Sequence, residues 1–461
     1  MLIFLLGIAG ACALVLERMR AEGAPRVEMR GDTPVTLYGD GSSGQAVLVS
    51  HGFAGSRQMM EAISLTLARA GHEVVAFDYP GHGRHGGLLS PDVTRITGTT
   101  QDLVDQTLDL APEGPLALVG HSMATDVVIR AARELEDVQG VVAISMYSEA
   151  VTAALPERLL IISGAQEGRL REVALEAGAL VGPVTEGATV TDGTVARRVV
   201  VAPLVGHAGV LWSGVTSAEI AAWLGPEVAP VRTGPWIGGL LASVVAAFWA
   251  LAGFLPAGAV PEGQSLRRAS AASAAGAVAA GAAGLTALPL LGVAGFGGLA
   301  LSLGAFGAVG LAILRPGLPR GGWLAGAALG LWGLAVFALA LDRYGASFVP
   351  VGPRFGLLLG LLPGAILFAL ADRRLVQGRH LMFRAVLRLP VLAALLGVML
   401  AQPGTMGLMF TVLPVLALYW AVYGSMARWA EARAGWGGPA LAMGVILAWS
   451  IASSTPLFAA P

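Results

Sequence analysis

Three side chains that together can activate a nucleophile occur in order along this chain: Ser122, Glu167 and His207. A serine hydroxyl attacks poorly until a base removes its proton, and a histidine base needs a third group to fix its tautomer. Ser122 stands in Gly120-His-Ser-Met-Ala124, directly after the apolar run Leu116-Ala-Leu-Val119. A buried strand that breaks at small residues and passes into a helical pattern leaves one residue at the apex of a strained turn, here the serine. Gly120 and Ala124 leave room for the backbone to fold back, which a bulkier side chain would block. Glu167 follows the apolar run Leu159 to Ser163 in Gly164-Ala-Gln-Glu167, and His207 follows Val199 to Ala202 in Pro203-Leu-Val-Gly-His-Ala208. Both therefore fall in loops just past strand ends. Glu149, in Met146-Tyr-Ser-Glu149, follows the preceding strand and competes with Glu167 for the role of acid.

The elements that must hold these residues are strands alternating with helices between about 25 and 225, a pattern that predicts a mostly parallel sheet. Strands are predicted over 46–50, 73–77, 116–119, 141–145, 159–163 and 199–202, and helices over 57–70, 99–110 and 125–135. Continuous apolar runs of this kind suit strands covered on both faces.

The motifs in this order make residues from about 40 to 225 resemble the α/β-hydrolase superfamily, nearest its small esterase, lipase and serine-aminopeptidase-like members. The resemblance implies Ser122 as nucleophile, His207 as general base and Glu167 as the orienting acid. It also implies an oxyanion hole from the backbone N–H groups of Met123 and of Phe53, which follows the pair His51-Gly52. Asp78-Tyr-Pro-Gly-His-Gly83 resembles the tight loop the family carries after its next strand. Two departures stand out: Ala124 replaces the second elbow glycine, and Glu167 stands where Asp is commoner. The stretch between Ser145 and Leu159 is too short for the helical cap of many relatives, so the site is expected to be open or covered by the rest of the chain. His51, His82, His85 and His121 are expected to satisfy local backbone groups, and His72 to lie on the surface.

Composition divides the chain. All 29 basic residues are Arg, which excludes a Ser-Lys dyad. Residues 1–230 carry 26 acids, whereas 231–461 carry only four, at 262, 342, 372 and 431. The rear arginines sit in short clusters between long apolar runs, so nucleic-acid binding is not expected. About 20 apolar residues cross a bilayer. The rear half offers eight such spans, with a turn near Pro289 and the seventh over about 405–425. The predicted organisation is an N-terminal anchor or signal segment over 1–20, an α/β-hydrolase domain over 25–228 and an all-α transmembrane domain over 235–457. Alternate connections put Arg267, Arg268, Arg315, Arg320, Arg373, Arg374, Arg379, Arg384, Arg388, Arg428 and Arg433 on one side and Arg343 and Arg354 on the other. The positive-inside rule makes the first side cytoplasmic and the hydrolase domain extracytoplasmic, although Arg18 and Arg20 at the outer end of the first segment argue the reverse. Asp342 and Asp372 adjoin arginines and read as interfacial anchors, and Arg384 and Arg388 as an interfacial turn.

No His and carboxylate spacing of a metal site and no Walker or dinucleotide motif occurs, so no cofactor or metal is expected. The sequence thus predicts a membrane-bound serine hydrolase cleaving an ester, thioester or amide of a small-molecule or lipid-like substrate. Alternatives are a serine-peptidase-like hydrolase and a non-catalytic binding or transport-associated module. The oligomeric state is open.

Overall fold

The structure, a computed structural model, describes residues 1–90, 96–258, 262–317 and 321–460. The front half is built on one nine-stranded sheet of order β1-β2-β4-β3-β5-β6-β7-β9-β8. Its centre is parallel: β4 (Glu73–Phe77), β3 (Ala46–Ser50), β5 (Leu116–His121), β6 (Val138–Ile144), β7 (Arg158–Gly164) and β9 (Val195–Ala202). Every residue of β3 and β5 is buried, as two-sided coverage demands. Alternate residues feed two cores. Leu48 and Leu118 join α3 (Ile96–Leu110), α4 (Met123–Ala131) and α5 (Gly168–Ala179) on one face. Val47 and Val119 join α2 (Glu61–Arg69) and α6 (Gly214–Leu224) on the other.

The parallel sheet and its flanking helices follow the expected α/β-hydrolase pattern. Three antiparallel edge strands were not legible: β1 (Arg26–Arg30), β2 (Thr33–Tyr38) and β8 (Thr189–Asp192). All five residues of β1 are exposed and two are Arg, so the strand carries no apolar signal.

In the rear half α7 (Gly234–Ala252), α8 (Leu266–Gly284), α9 (Phe296–Leu314), α12 (Pro353–Val376), α13 (Leu381–Ala401) and α17 (Gly437–Ser454) are long single helices. A further one is made of α10 (Trp323–Leu331), a π-helical stretch (Trp332–Phe337) and α11 (Ala338–Tyr344). After the short α14 (Pro403–Met406), α15 (Met409–Ala421) passes at Val422 into α16 (Tyr423–Ala434). α1 (Leu2–Gly23) packs along α7. Among the described residues, eight helices are long and apolar enough to cross a membrane: α1 and seven in the rear half. α8 is the eighth rear helix and is not one of them, since Arg267, Arg268 and several Ser and Gly residues dilute its apolar character. Close packing rests on small residues; a Cβ on Gly444 would lie 2.6 Å from the Cα of Ile366.

Three readings of the rear half are corrected. The seventh span continues through α16 to Ala434, which puts Arg428 and Arg433 on a helix rather than in a connection. Asp372, only 1% exposed, is no interfacial anchor of its neighbour: it pairs with Arg388 at 2.6 and 2.7 Å. Arg373 pairs instead with Glu431. Arg384 and Arg388 lie within α13 rather than in a turn, and the Arg388 guanidinium also covers the Trp420 ring at 4.5 Å. The physical reason is that a buried charge needs a partner, and a neighbouring helix supplies one that sequence spacing does not reveal. Arg320 lies outside the described residues.

The helices meet the hydrolase domain at the C-terminal edge of the sheet. Ser347 N–H donates to Ser56 Oγ at 2.9 Å, and Arg84 pairs with Asp342. Arg354, 3% exposed, donates to the carbonyls of Gly81 (2.8 Å) and Gly83 (3.0 Å) in the loop after β4. Near the same interface Arg20 pairs with Glu61, and Arg343 with Glu17 at 2.9 Å.

Candidate active site

Ser122 alone makes the turn between β5 and α4, with φ 53° and ψ −118°, a region that costs a non-glycine residue about 1–3 kcal/mol. The surrounding backbone fixes it there: Ser122 N–H donates to Ile144 O (2.8 Å), and Ser122 O accepts from Thr125 N–H (2.9 Å) and Thr125 Oγ (2.6 Å). Two glycines permit the approach. A Cβ on Gly120 would lie 2.6 Å from Ala124 O, and one on Gly52 would lie 2.9 Å from Ser122 Cβ. Ala124 is fully buried in this turn, so the substitution for glycine is accommodated.

His207 leaves the end of β9 in a loop that closes on a 3₁₀ turn, Gly209–Trp212. Ser122 Oγ–H points to His207 Nε2 at 2.9 Å, and His207 Nδ1–H donates to Glu167 Oε1 at 2.6 Å. Glu167 is 9% exposed, and its other oxygen accepts from Gly164 N–H (2.6 Å) and Ser145 Oγ–H (2.8 Å). Burial opposes its ionisation, but the hydrogen bonds from His207, Gly164 and Ser145 outweigh burial and hold the carboxyl below its ordinary pKa. The arrangement can take a proton from Ser122 onto an imidazole whose far nitrogen faces an ionised carboxylate. Glu149 is exposed on the wall of a cavity of about 380 Å³ beside Ser122, and the carboxylate that meets His207 is that of Glu167. Asp126, Arg130, Tyr147 and Ser148 line the same cavity, and Arg130 and Ser148 both bond Asp126.

Phe53 lies in the loop after β3, adjoining Gly52, and its N–H has no acceptor among the described residues. Met123 opens α4, where the first N–H groups lack an intrahelical acceptor. The loops after β3 and β4 are tied by Arg57 and Asp78, both buried. Arg57 N–H donates to Asp78 Oδ1 at 2.8 Å and its guanidinium pairs with Oδ2. His51 donates from Nδ1 to Gly52 O (2.8 Å) and accepts Tyr79 N–H at Nε2 (3.1 Å).

Other contributors escaped the sequence. Ser145, at φ 54° past β6, steadies Glu167, and His121 Nε2–H donates to the His207 carbonyl at 3.0 Å, across the site rather than locally. A polar residue ending the strand between elbow and acid was the only available signal for Ser145. His85 bonds Gly87 N–H and Thr33, whereas His82 bonds Pro80 O through Nδ1 and keeps its buried Nε2 without a partner among the described residues. His72 is not on the surface: it is 1% exposed and bonded to Ser43, because the loops at that end of the sheet close over it. Among the described residues no cluster of His, Cys, Asp or Glu could hold a metal. A larger cavity of about 450 Å³, lined by Met1, Trp249, Trp429 and Arg433, lies at the far end of the helices and holds no nucleophile.

Residues 41–164 match the family described as "Serine aminopeptidase, S33", and the front unit is an α/β-hydrolase domain. Similar solved structures include a predicted CIB-like hydrolase from Thermoplasma acidophilum (17% identity, TM-score 0.33, covering 40% of this chain and 88% of that one). They also include the thioesterase domain from the curacin biosynthetic pathway (26%, 0.22, 28% and 49%) and potato (Solanum tuberosum) epoxide hydrolase I (22%, 0.24, 27% and 41%). The chain thus spans less than half the length of the latter two. No curated protein matches.

Proposed function

We propose that this α/β-hydrolase domain is a serine hydrolase held at a membrane by the rear helices, with the hydrolase domain over 25–228 and the transmembrane domain over 235–457. The observation that carries the reading is the hydrogen-bonded relay of 2.9 and 2.6 Å that ends on a serine held at φ 53°. Ser122 Oγ attacks the substrate carbonyl carbon as its proton passes to His207 Nε2, while Glu167 fixes the tautomer and stabilises the imidazolium. The N–H groups of Phe53 and Met123 hold the resulting oxyanion. Collapse expels an alcohol, thiol or amine, which takes the proton from His207 and leaves an acyl-Ser122 ester. Water then attacks that ester, giving its proton to His207, and a second collapse releases the acid and restores Ser122.

An acylated or lipid-like substrate is favoured by where the site sits. The loops that flank Ser122 are the ones packed on the helices, through Ser56, Gly81 and Gly83, so the mouth lies near the bilayer surface. The arginine distribution supports an extracytoplasmic domain. The arginines on the hydrolase side are consumed locally: Arg343 by Glu17, Arg20 by Glu61 and Arg354 by carbonyls. A peptidase is the second reading, favoured by the exposed carboxylate of Glu149 beside Ser122, which could receive a substrate amine.

The test is turnover by the purified full chain of esters with short and long acyl chains, dispersed in water or in phosphatidylcholine vesicles. Ser122-dependent turnover that rises with acyl length in vesicles is expected. Absence of turnover, or turnover that survives Ser122→Ala, would contradict the hydrolase reading, and preference for aminoacyl amides would replace the lipid substrate with a peptide.

A further inference from the structure

The segment after α17 leaves the helices and runs across the hydrolase domain. Leu457 N–H donates to Gly81 O and Leu457 O accepts from Leu89 N–H, both at 2.9 Å, and Ala459 N–H donates to Leu89 O at 2.8 Å. The segment thereby forms a parallel bridge to the loop after β4. Its other edge is held by the connection between α8 and α9: Ala294 N–H donates to Phe458 O (2.9 Å) and Ala460 N–H to Gly292 O (2.7 Å). Arg354 clamps the base of the segment, donating to Ala452 O (2.9 Å) and Thr455 O (2.8 Å) as well as to the hydrolase loop.

The side chain delivered by this segment is Phe458. Its ring stacks on Phe53 with centroids 6.0 Å apart and planes 29° apart, while His82 meets Phe53 edge-on at 5.6 Å. Phe53 lies outside β3 and the 3₁₀ turn that follows (Arg57–Met60), and beside it Ala54 is at φ 58°. Backbone bonds fix Gly52, whose carbonyl accepts from Gly55 N–H (2.9 Å) and His51 Nδ1 (2.8 Å), whereas the Phe53 side chain is held by two rings, one of which comes from the helical half of the chain.

We propose that Phe458 is a positioning residue for the oxyanion-binding loop: by stacking on Phe53 it fixes the Phe53 N–H beside Ser122, so that the membrane region completes the hydrolase site. The inference rests on the serine-hydrolase reading. A preorganised donor matters more than its presence alone, since a shift of about 1 Å costs roughly 10²-fold in rate, and losing one oxyanion donor costs roughly 10²–10³-fold. Loosening the loop without deleting its N–H should fall below that limit.

The test compares the wild-type full chain with Phe458→Ala, Phe458→Leu and Phe458→Tyr on p-nitrophenyl acetate, whose small acyl group makes little use of distant pocket walls. Inhibition by a trifluoromethyl ketone, which forms an oxyanion on Ser122, is measured in parallel. Phe458→Ala is expected to lower kcat by about 10-fold with KM within about 2-fold, and to weaken the ketone by a matching factor. Phe458→Tyr should keep wild-type values and Phe458→Leu should fall between; if the alanine variant does not fold, the leucine and tyrosine variants decide. An unchanged kcat, a change in KM alone, or a lower kcat with undiminished ketone binding would overturn the proposal. Loss of Ser122-dependent turnover in the wild type would overturn the hydrolase reading and this inference together, whereas wild-type turnover indifferent to Phe458 would overturn this inference alone.

Discussion

Both halves of the chain hold buried ion pairs, Arg57 with Asp78 in front and Arg388 with Asp372 behind, but only the front half adds a relay that ends on a nucleophile. In the rear half Asp372 pairs with Arg388 and Arg373 with Glu431, joining α12 to α13 and to α16. In the front half the relay from Glu167 through His207 ends on Ser122, which is strained, beside open space and whose hydroxyl is bonded to the group that can take its proton. Burial and pairing alone therefore mark structure. A chain of hydrogen bonds that ends on a nucleophile at a cavity marks chemistry.

Removing the end of the relay breaks the comparison most strongly. Ser122→Ala is expected to lower kcat by roughly 10⁴–10⁶-fold while leaving the unfolding temperature in place or slightly raised, since the alanine keeps the turn. Glu167→Gln should lower kcat by roughly 10³–10⁴-fold, because an amide does not stabilise the imidazolium and can select the wrong tautomer. In the rear half the loss should appear in stability instead. Asp372→Ala leaves Arg388 buried without its partner and should destabilise the helices by about 3–5 kcal/mol, read by thermal unfolding in detergent, whereas replacing both members with Leu and Met should recover most of the loss. Hydrolysis retained by a folded Asp372→Ala protein would sharpen the division of labour, and a loss of kcat without unfolding would blur it.

The same comparison governs pH. His51 and His82 are held below their ordinary pKa by burial, and His121 is pushed down to about 4 by burial and the nearby His207. The unfolded chain binds protons that these rings refuse, so their contribution is whole above about pH 6.5 and is lost as the pH falls toward 4. Each ring removes at most about 1.4 kcal/mol per pH unit in that window. The unfolding midpoint of the hydrolase domain should accordingly drop below pH 6.5, and a flat profile would contradict the buried placement. The smallest effect belongs to Glu149→Gln: ester turnover should change by less than about 3-fold, whereas a fall of about 10-fold on aminoacyl amides alone would favour the peptidase reading.

Much of the front half was legible because its signals are local. An apolar run, two small residues and a serine define the elbow, and the loops after 163 and 202 carry the residues that meet it. Which acid meets His207 was not legible, since Glu149 and Glu167 both follow strands; the separation depends on how far each loop turns back, a tertiary property. The supporting contacts of Ser145, His121 and Phe458 cross between distant segments and leave no periodic trace. In the rear half the spans could be read from hydropathy, but the partners of Asp372 and Arg373 could not, because sequence neighbours on a helix point to different faces.

The central claim is that Ser122 is activated by His207. Its most direct test is peptide mapping after exposure of the full chain to a fluorophosphonate. A single adduct on Ser122, formed rapidly in the wild type and at least about 10³-fold more slowly in His207→Ala, is the predicted result. An unmodified Ser122, or a rate indifferent to His207, would contradict the account.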